Sequence, residues 1–323
     1  MRGLVTAVKA ERSLQMLKYI LKRVLIGILT LFILATITFF GVHAMPGDPF
    51  QQDDNKRLTE AQLESLRAKY GLDKSIGEQY IIFLKNAARG DFGESITKKN
   101  RQVSEIIATE FKVTFKLGLI AFIASMTLGM TLGIIGALTK KKWLNSLITL
   151  IATFGVSMPS YMFAMALMVF FGVKLKLLPI SGLDTPIHYI LPGASLALSS
   201  LSMVTRLTRS SLRDEMNKDY ITLARSKGLS ERAVTVKHGL KNALLPVITY
   251  AGPMLANSIT GSMVIEALFT IHGLGKEFST SVSARDYTLV MGVTMFFGAL
   301  IIFMNIVSDI TAAIVDPRIK FDK

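Results

Sequence analysis

The stretch VLIGILTLFILATITFFGV, residues 24–42, is 19 residues long and contains no Asp, Glu, Lys or Arg. A helix needs about 20 apolar residues to cross the hydrocarbon core of a bilayer, so this run reads as a membrane span. It is longer than the apolar centre of a cleavable leader, and no small-residue cleavage site follows it. It is therefore expected to stay in the chain as the first span. Five further charge-free runs follow, at 117–138, 143–173, 187–205, 243–265 and 287–308. The run at 143–173 is long enough to tilt, to bend at Pro159 or to hold an interfacial turn. Splitting it would leave two pieces too short to span, so six crossings are expected. Composition agrees: half of the residues are hydrophobic, 19% are charged and the mean hydropathy is +0.45. A soluble domain of that make-up would expose too much apolar surface. The predicted fold is an all-α polytopic membrane protein with about six transmembrane helices.

A net charge of +14 could belong to a nucleic-acid binder, but the basic residues are segregated along the chain. With the N-terminus inside, the inner segments 1–23, 139–142, 206–242 and 309–323 hold 6, 3, 9 and 3 Lys+Arg. The short outer loops 174–186 and 266–286 hold 2 each. That is the positive-inside pattern, so both termini are expected in the cytoplasm and no nucleic-acid partner is expected. The long segment 43–116 carries 12 basic residues against 11 acidic ones, and segments of that length cross largely regardless of charge. The organisation expected is a cytoplasmic tail at 1–23, a first span at 24–42, an extracytoplasmic segment at 43–116, and a core domain at 117–323 that includes the loop 206–242. Cysteine is absent, which excludes disulfides and cysteine–metal sites.

Two amphipathic helices are expected in the outer segment. Thr59-Glu-Ala-Gln62 and Ser75-Ile-Gly-Glu78 both fit a capping box, in which two side chains satisfy orphan amides at a helix start. Leu63, Leu66 and Tyr70 then share one face before Gly71, and Tyr80, Leu84 and Ala88 share another before Gly90. Such helices either rest on the membrane surface or form a platform for an external partner.

The spans are rich in small and hydroxyl residues. Gly129-x-x-x-Gly133 permits close backbone approach, and Ser195, Ser199, Ser202 and Thr205 recur along the fourth run. Each has a packing reading beside a pathway-lining one. No ionisable residue lies in the middle of a span, which disfavours a carrier with its own proton relay. Gly275-Lys276 resembles the end of a phosphate-binding loop, but Glu277 stands where Ser or Thr is needed and Thr270 where the first glycine is needed. Neither a zinc-binding histidine pair nor a nucleophile elbow is present, so no catalytic residue and no metal site are expected.

The loop 206–242 is the most informative stretch. Asp219 is expected to cap a short helix that stops at Gly228, whose missing Cβ permits a left-handed turn. Ser230 is expected to cap a second helix running to about Asn242. Pro246 then falls in the first turn of the fifth run, where its lost amide costs little. Two short helices hinged at a glycine and tied to two spans form a lever on which an external engine can act.

At these residues the chain resembles the membrane subunits of bacterial ATP-binding-cassette importers. Asp219-Tyr-Ile-Thr-Leu-Ala224-Arg-Ser-Lys-Gly228, followed by Asn242-Ala-Leu-Leu-Pro246, is similar to the family's EAA loop in its peptide-importer form. Thr222, Leu223 and Ala224 stand where the older consensus has Glu-Ala-Ala. Met45-Pro-Gly-Asp-Pro49, Tyr70-Gly-Leu-Asp73, Gly90-Asp-Phe-Gly93 and Arg206-Leu-Thr-Arg-Ser210 resemble the B-type member of the paired permease subunits. So do Phe269 to Gly275, Arg285-Asp-Tyr287 and Asp316-Pro-Arg318, although Ile271-His272 replaces the more usual aromatic–proline pair.

The resemblance implies the transmembrane domain of a type I ABC importer in the cytoplasmic (inner) membrane, transporting oligopeptides. Its implied partners are membrane lipid, a homologous C-type permease subunit, two cytosolic ATPase subunits and an extracytoplasmic peptide-binding protein. ATP and Mg would be held by the ATPase subunits, with no cofactor in this one. Asp219, Tyr220, Leu223, Ala224, Arg225, Lys227, Gly228, Leu229 and Pro246 would couple to an ATPase. Glu266, Phe269, Gly273 and Gly275 would form an outer gate. Apart from the resemblance, Arg206, Arg209 and Asp309 fall on the same expected inner side, where they form either an inner ion pair or a snorkelling carboxylate beside two charge anchors. A dipeptide or nickel-chelate importer of the same branch is the alternative, and a membrane scaffold or sensor recruiting an ATPase is the alternative of another class.

Overall fold

A computed structural model describes the backbone of residues 2–47, 49–50 and 59–315, and the side chains of residues 16, 18–47, 49–50 and 59–311. Asp48 and the Asp316-Pro-Arg318 motif lie outside the described residues. Regular structure among the described residues is helical throughout. In chain order the helices are α1 (Arg2–His43), α2 (Glu60–Tyr70), α3 (Ile76–Ala87), α4 (Val103–Leu138), α5 (Lys142–Ser157) and α6 (Ser160–Leu167). They continue with α7 (Ile190–Met216), α8 (Asp219–Ser226), α9 (Glu231–Ala233), α10 (Leu240–Ala243), α11 (Leu245–Ile259), α12 (Met263–Leu268), α13 (Leu274–Ser283) and α14 (Tyr287–Val315). π-helical turns at Met168–Lys174 and Val234–Gly239 extend α6 and join α9 to α10.

Four helical segments among the described residues are long and apolar enough to cross a membrane: Lys18–His43, Val103–Leu138, Pro186–Met216 and Tyr287–Thr311. The predicted third run is broken at Met158–Pro159, and its halves, Lys142–Ser157 and Ser160–Lys174, meet at 112°. Counted as one, they make a fifth. The predicted run at 243–265 does not qualify as a sixth. Its main helix, α11, is 15 residues long with Pro253 inside it, and Gly261 in the left-handed region (φ +73°) separates it from α12. Proline removes a backbone donor and a left-handed residue ends the helical ladder, so an apolar run becomes two short helices. The polytopic all-α fold is the one found, and among the described residues four helices, or five counting the bent pair as one, are long and apolar enough to cross a membrane.

The chain forms two compact units, Met1–Thr114 with His272–Phe303, and Phe115–Ile271 with Met304–Lys323. In the first, Ala35, Phe39 and Val42 of α1, Phe83 of α3, Ile96, and Tyr287, Val290 and Met291 of α14 form a buried core. Tyr70, Tyr80, Leu84 and Ala87 pack against it. Helices α2 and α3 start as expected: Gln62 Oε1 accepts from Thr59 N–H at 2.9 Å, and Ser75 and Glu78 exchange bonds of 3.4 and 3.2 Å. Gly71 ends α2 in the left-handed conformation. One side of α3 packs into the protein core through Phe83 and a Tyr80–Thr36 hydroxyl contact of 2.7 Å, while Ile76, Ile81 and Ile82 stay exposed.

The second unit is built around α7. Gly129 and Gly133 of α4 face it so closely that a Cβ on Gly129 would stand 2.9 Å from Leu201 O, and one on Gly133 2.8 Å from Thr205 O. The Gly-x-x-x-Gly signature is thus a packing face. Ser195, Ser202 and Thr205 are buried, and Ser195 and Thr205 bond back to their own helix at 2.7 and 2.8 Å. Ser125 of α4 donates to Ala197 O at 3.1 Å, which ties the two helices together.

Candidate functional site

The segment from the end of α7 to the start of α11 folds as a strapped elbow. On α8 the spacing of Ile221 and Ala224 puts both on one face, where they are buried with Val234 against Met216. Gly239 makes room for this arrangement, because a Cβ there would lie 2.8 Å from Met216 Sδ. The chain leaves α8 through a Schellman turn: Leu229 N–H bonds Ala224 O at 3.4 Å and Gly228 N–H bonds Arg225 O at 2.9 Å. Gly228 adopts φ +78° with open space around it, so glycine is required there by backbone conformation and not by crowding. Ser230 then caps α9 by accepting from Ala233 N–H at 3.3 Å.

Asp219 is the first residue inside α8 and Lys218 precedes it, with no side-chain cap bond. The expected cap is replaced by a carboxylate in the first turn, where the helix dipole favours it. Tyr220 joins the parts of the elbow. Its hydroxyl donates to Glu215 at the end of α7 and accepts from Asn242 Nδ2 of α10 at 3.0 Å. Burial, followed by the bond to Glu215, raises the Tyr220 phenol above its ordinary range, so it stays a neutral donor. Arg225 pairs with Glu231 across the Gly228 turn at 2.9 Å. That pair is exposed and is worth about 0–1 kcal/mol. Pro246 sits in the first turn of α11.

Opposite the buried face, Leu223 is 56% exposed and Leu229 43% exposed. Lys227, between them in the chain, is also exposed. Sequence reasoning placed the elbow but missed Glu215, whose partner Tyr220 lies in the next helix, and missed Asn242 as a partner of that hydroxyl 22 residues away.

The other expected sites are distributed differently. Glu266 and Phe269 are buried in the second unit, where Phe269 O accepts from Gly182 N–H at 2.9 Å. Ile271 N–H bonds Glu266 O at 2.8 Å, and Thr270 turns the chain at φ +53°. Gly273 and Gly275 belong to the first unit, at the start of α13, where Leu274 N–H bonds Thr114 Oγ1 at 2.8 Å. The expected inner ion pair is not formed. Arg209 Nη2 instead donates to Asn145 Oδ1 at 2.8 Å, and no described ion pair joins Arg206 or Arg209 to Asp309. The neutral amide of Asn145 on α5 lies within hydrogen-bonding distance, a pairing 64 residues apart that local sequence rules do not reach.

Asp286, part of a recognised motif but not read as a site, accepts six hydrogen bonds among the described residues. Fully buried ahead of α14, it accepts from Ser95 Oγ, Ile96 N–H (3.1 Å), Thr97 N–H (3.0 Å), Thr97 Oγ1 (2.7 Å), Thr288 Oγ1 (3.0 Å) and Leu289 N–H (3.1 Å). An Asp just before an apolar helix is a readable cap signal, but its partners 190 residues away are not.

Residues 129–321 match the family described as binding-protein-dependent transport system inner membrane component, and residues 16–118 match the N-terminal component of the same system. The chain is 40% identical over 305 residues to the dipeptide transport system permease protein DppB of Lactococcus lactis subsp. cremoris (strain MG1363), covering 94% of this chain and 100% of that one. It is 40% identical over 309 residues to the oligopeptide transport system permease protein OppB of Escherichia coli (strain K12), covering 95% and 100%. In fold it is similar to an inward-facing MetNI methionine ABC transporter chain, with a TM-score of 0.52 at 16% identity, covering 66% of this chain and 97% of that one. It is also similar to an amino acid ABC transporter chain, with a TM-score of 0.53 at 12% identity, covering 64% and 92%. A multi-pass helical chain that matches the family over its core and its relatives over nearly its full length belongs to the inner membrane components of binding-protein-dependent transport systems.

Proposed function

We propose that this chain is the B-type membrane subunit of an ATP-driven oligopeptide importer and forms half of the translocation pathway. The carrying observation is its 40% identity, over nearly the whole chain, to a relative named as an oligopeptide permease. In this reading both termini and the 206–242 elbow are cytoplasmic. Leu223 and Leu229 enter a groove on one of two ATPase subunits, which hold ATP and Mg. A homologous C-type permease completes the pathway, and an extracytoplasmic binding protein delivers the cargo. Tyr220 and the buried Ile221–Ala224 face make the elbow stiff, so that displacement of α8 is passed to α7 and α11. ATP must bind one of two conformations more tightly than the other, or it shifts no equilibrium.

The test is uptake of a labelled pentapeptide into proteoliposomes holding the co-purified complex. Leu223→Asp is expected to lower ATP-dependent uptake about tenfold or more, the cost of removing a central apolar anchor. Unchanged uptake in that variant, or uptake without ATP, would overturn the reading. Relatives named as dipeptide permeases match at 40% and 39% identity, so a dipeptide importer is the second reading. Competition by unlabelled dipeptide against the pentapeptide decides between them.

A further inference from the structure

We propose that Arg206, Arg209 and Arg213 form a binding site for the phosphate headgroup of an acidic membrane phospholipid. Their spacing of three and four residues places them on one side of α7. They are poorly compensated. Arg209 and Arg213 share a single neutral acceptor, Asn145 Oδ1, at 2.8 and 3.2 Å, and Arg213 adds only Gly136 O at 3.2 Å. Arg209 Nε is buried and without a hydrogen-bond partner, and no carboxylate among the described residues pairs with any of the three. Arg206 is exposed, but Arg209 and Arg213 are half-buried; guanidinium groups taken partly out of water without an anion are costly, and their planar forks match phosphate oxygens.

Two cavities of about 310 and 260 Å³ meet at Arg206 and Arg209, and the smaller is lined by Arg213 and by one carboxylate, Asp214. The larger runs onto α5 along Thr149 and Thr153. Beside it α5 carries an exposed apolar strip, Trp143, Leu147, Leu150 and Phe154, with the spacing of one helix face. Lys140, Lys141 and Lys142 precede the strip. At 1.5 Å per residue the three arginines lie about 24, 29 and 35 Å along α7 from Ile190, the far edge of a hydrocarbon layer about 30 Å thick. A guanidinium cluster at headgroup depth, with an apolar strip leading from it into the bilayer, has the chemistry of an acidic diacyl lipid. Basic pockets between transmembrane helices bind such headgroups elsewhere.

The test is native mass spectrometry of the full chain, co-purified with its partner subunits and supplied with phosphatidylglycerol or phosphatidylcholine. Preferential retention of phosphatidylglycerol is expected. R209Q/R213Q is expected to lower that preference about 30-fold, at about tenfold per 1.4 kcal/mol and about 1 kcal/mol per basic residue near an anionic headgroup. Should that double variant fail to assemble, Arg206→Gln, which removes no protein hydrogen bond, is expected to lower it about fivefold. Equal retention of the two lipids overturns the proposal, as does an unchanged preference in the variants. Displacement of the lipid by millimolar inorganic phosphate would do so too, since it makes a soluble anion the ligand. Lipid retention is read without transport, so its failure leaves the importer reading standing.

Discussion

Asp286 collects six hydrogen bonds because one carboxylate serves two tasks, capping α14 and ordering the Ser95–Thr97 turn. Burial opposes its charge, but the bonds from Ser95, Thr97 and Leu289 outweigh that and hold the carboxyl below its ordinary range. A carboxylate whose folded pKa is depressed stabilises the protein above its unfolded pKa of about 4 and loses that contribution as pH falls through the folded value. Thermal denaturation in detergent, followed from neutral to acid pH, should therefore show a stability component that Asp286→Asn lacks. Asp286→Ala should cost about 3 kcal/mol or more, since it leaves several buried donors unpaired. Equal pH profiles for the wild type and Asp286→Asn would remove this assignment. Gly228 contrasts with it: its left-handed turn was readable from one residue type at the end of one short amphipathic helix. The bonds of Asp286 join places far apart in the chain, and local rules do not reach them.

Among the elements, those whose ends carry their own chemistry were legible. The capping boxes at Thr59 and Ser75 start α2 and α3 where the residue types require. The start of α4 at Val103 was not legible from charge-free runs, because its first four turns carry Glu105, Glu110, Lys112 and Lys116 and still continue the same helix. A bend at Pro159 was one of three readings open for the run at 143–173, beside a tilt and an interfacial turn, and the structure takes it, at 112°. Helix packing gives a direct test. Gly133→Leu must force α4 away from Thr205 and Thr208, and overpacking of that kind costs about 1–3 kcal/mol. Gly77→Ala in α3 meets nothing within 4 Å and should stabilise by up to about 1 kcal/mol through helix propensity. Size-exclusion yield and melting temperature are expected to move in opposite directions for the two variants. A neutral Gly133→Leu would show that the close approach has slack.

For the whole molecule the decisive question is which side each segment occupies. The chain has no cysteine, so single cysteines report topology without background. Ser65→Cys on α2 and Ser226→Cys on α8 are both at exposed positions. A membrane-impermeant maleimide applied to intact cells or spheroplasts should label the first at once and the second only after lysis. Labelling of Ser226→Cys from outside would invert the topology and remove the elbow from cytosolic ATPases. Chain-wide hydropathy, the segregation of basic residues along the chain and the glycine of the elbow were readable without coordinates, because each acts through solvent, bilayer or its own backbone. Pairings across the chain needed the folded structure. The split of 243–265 into two helices, Tyr220 on Glu215 and Asn242, Arg209 on Asn145 instead of Asp309, and α3 turned onto the core were all settled there. Such choices depend on which distant groups come within a few ångströms, and burial makes each buried polar group take the partner that packing supplies.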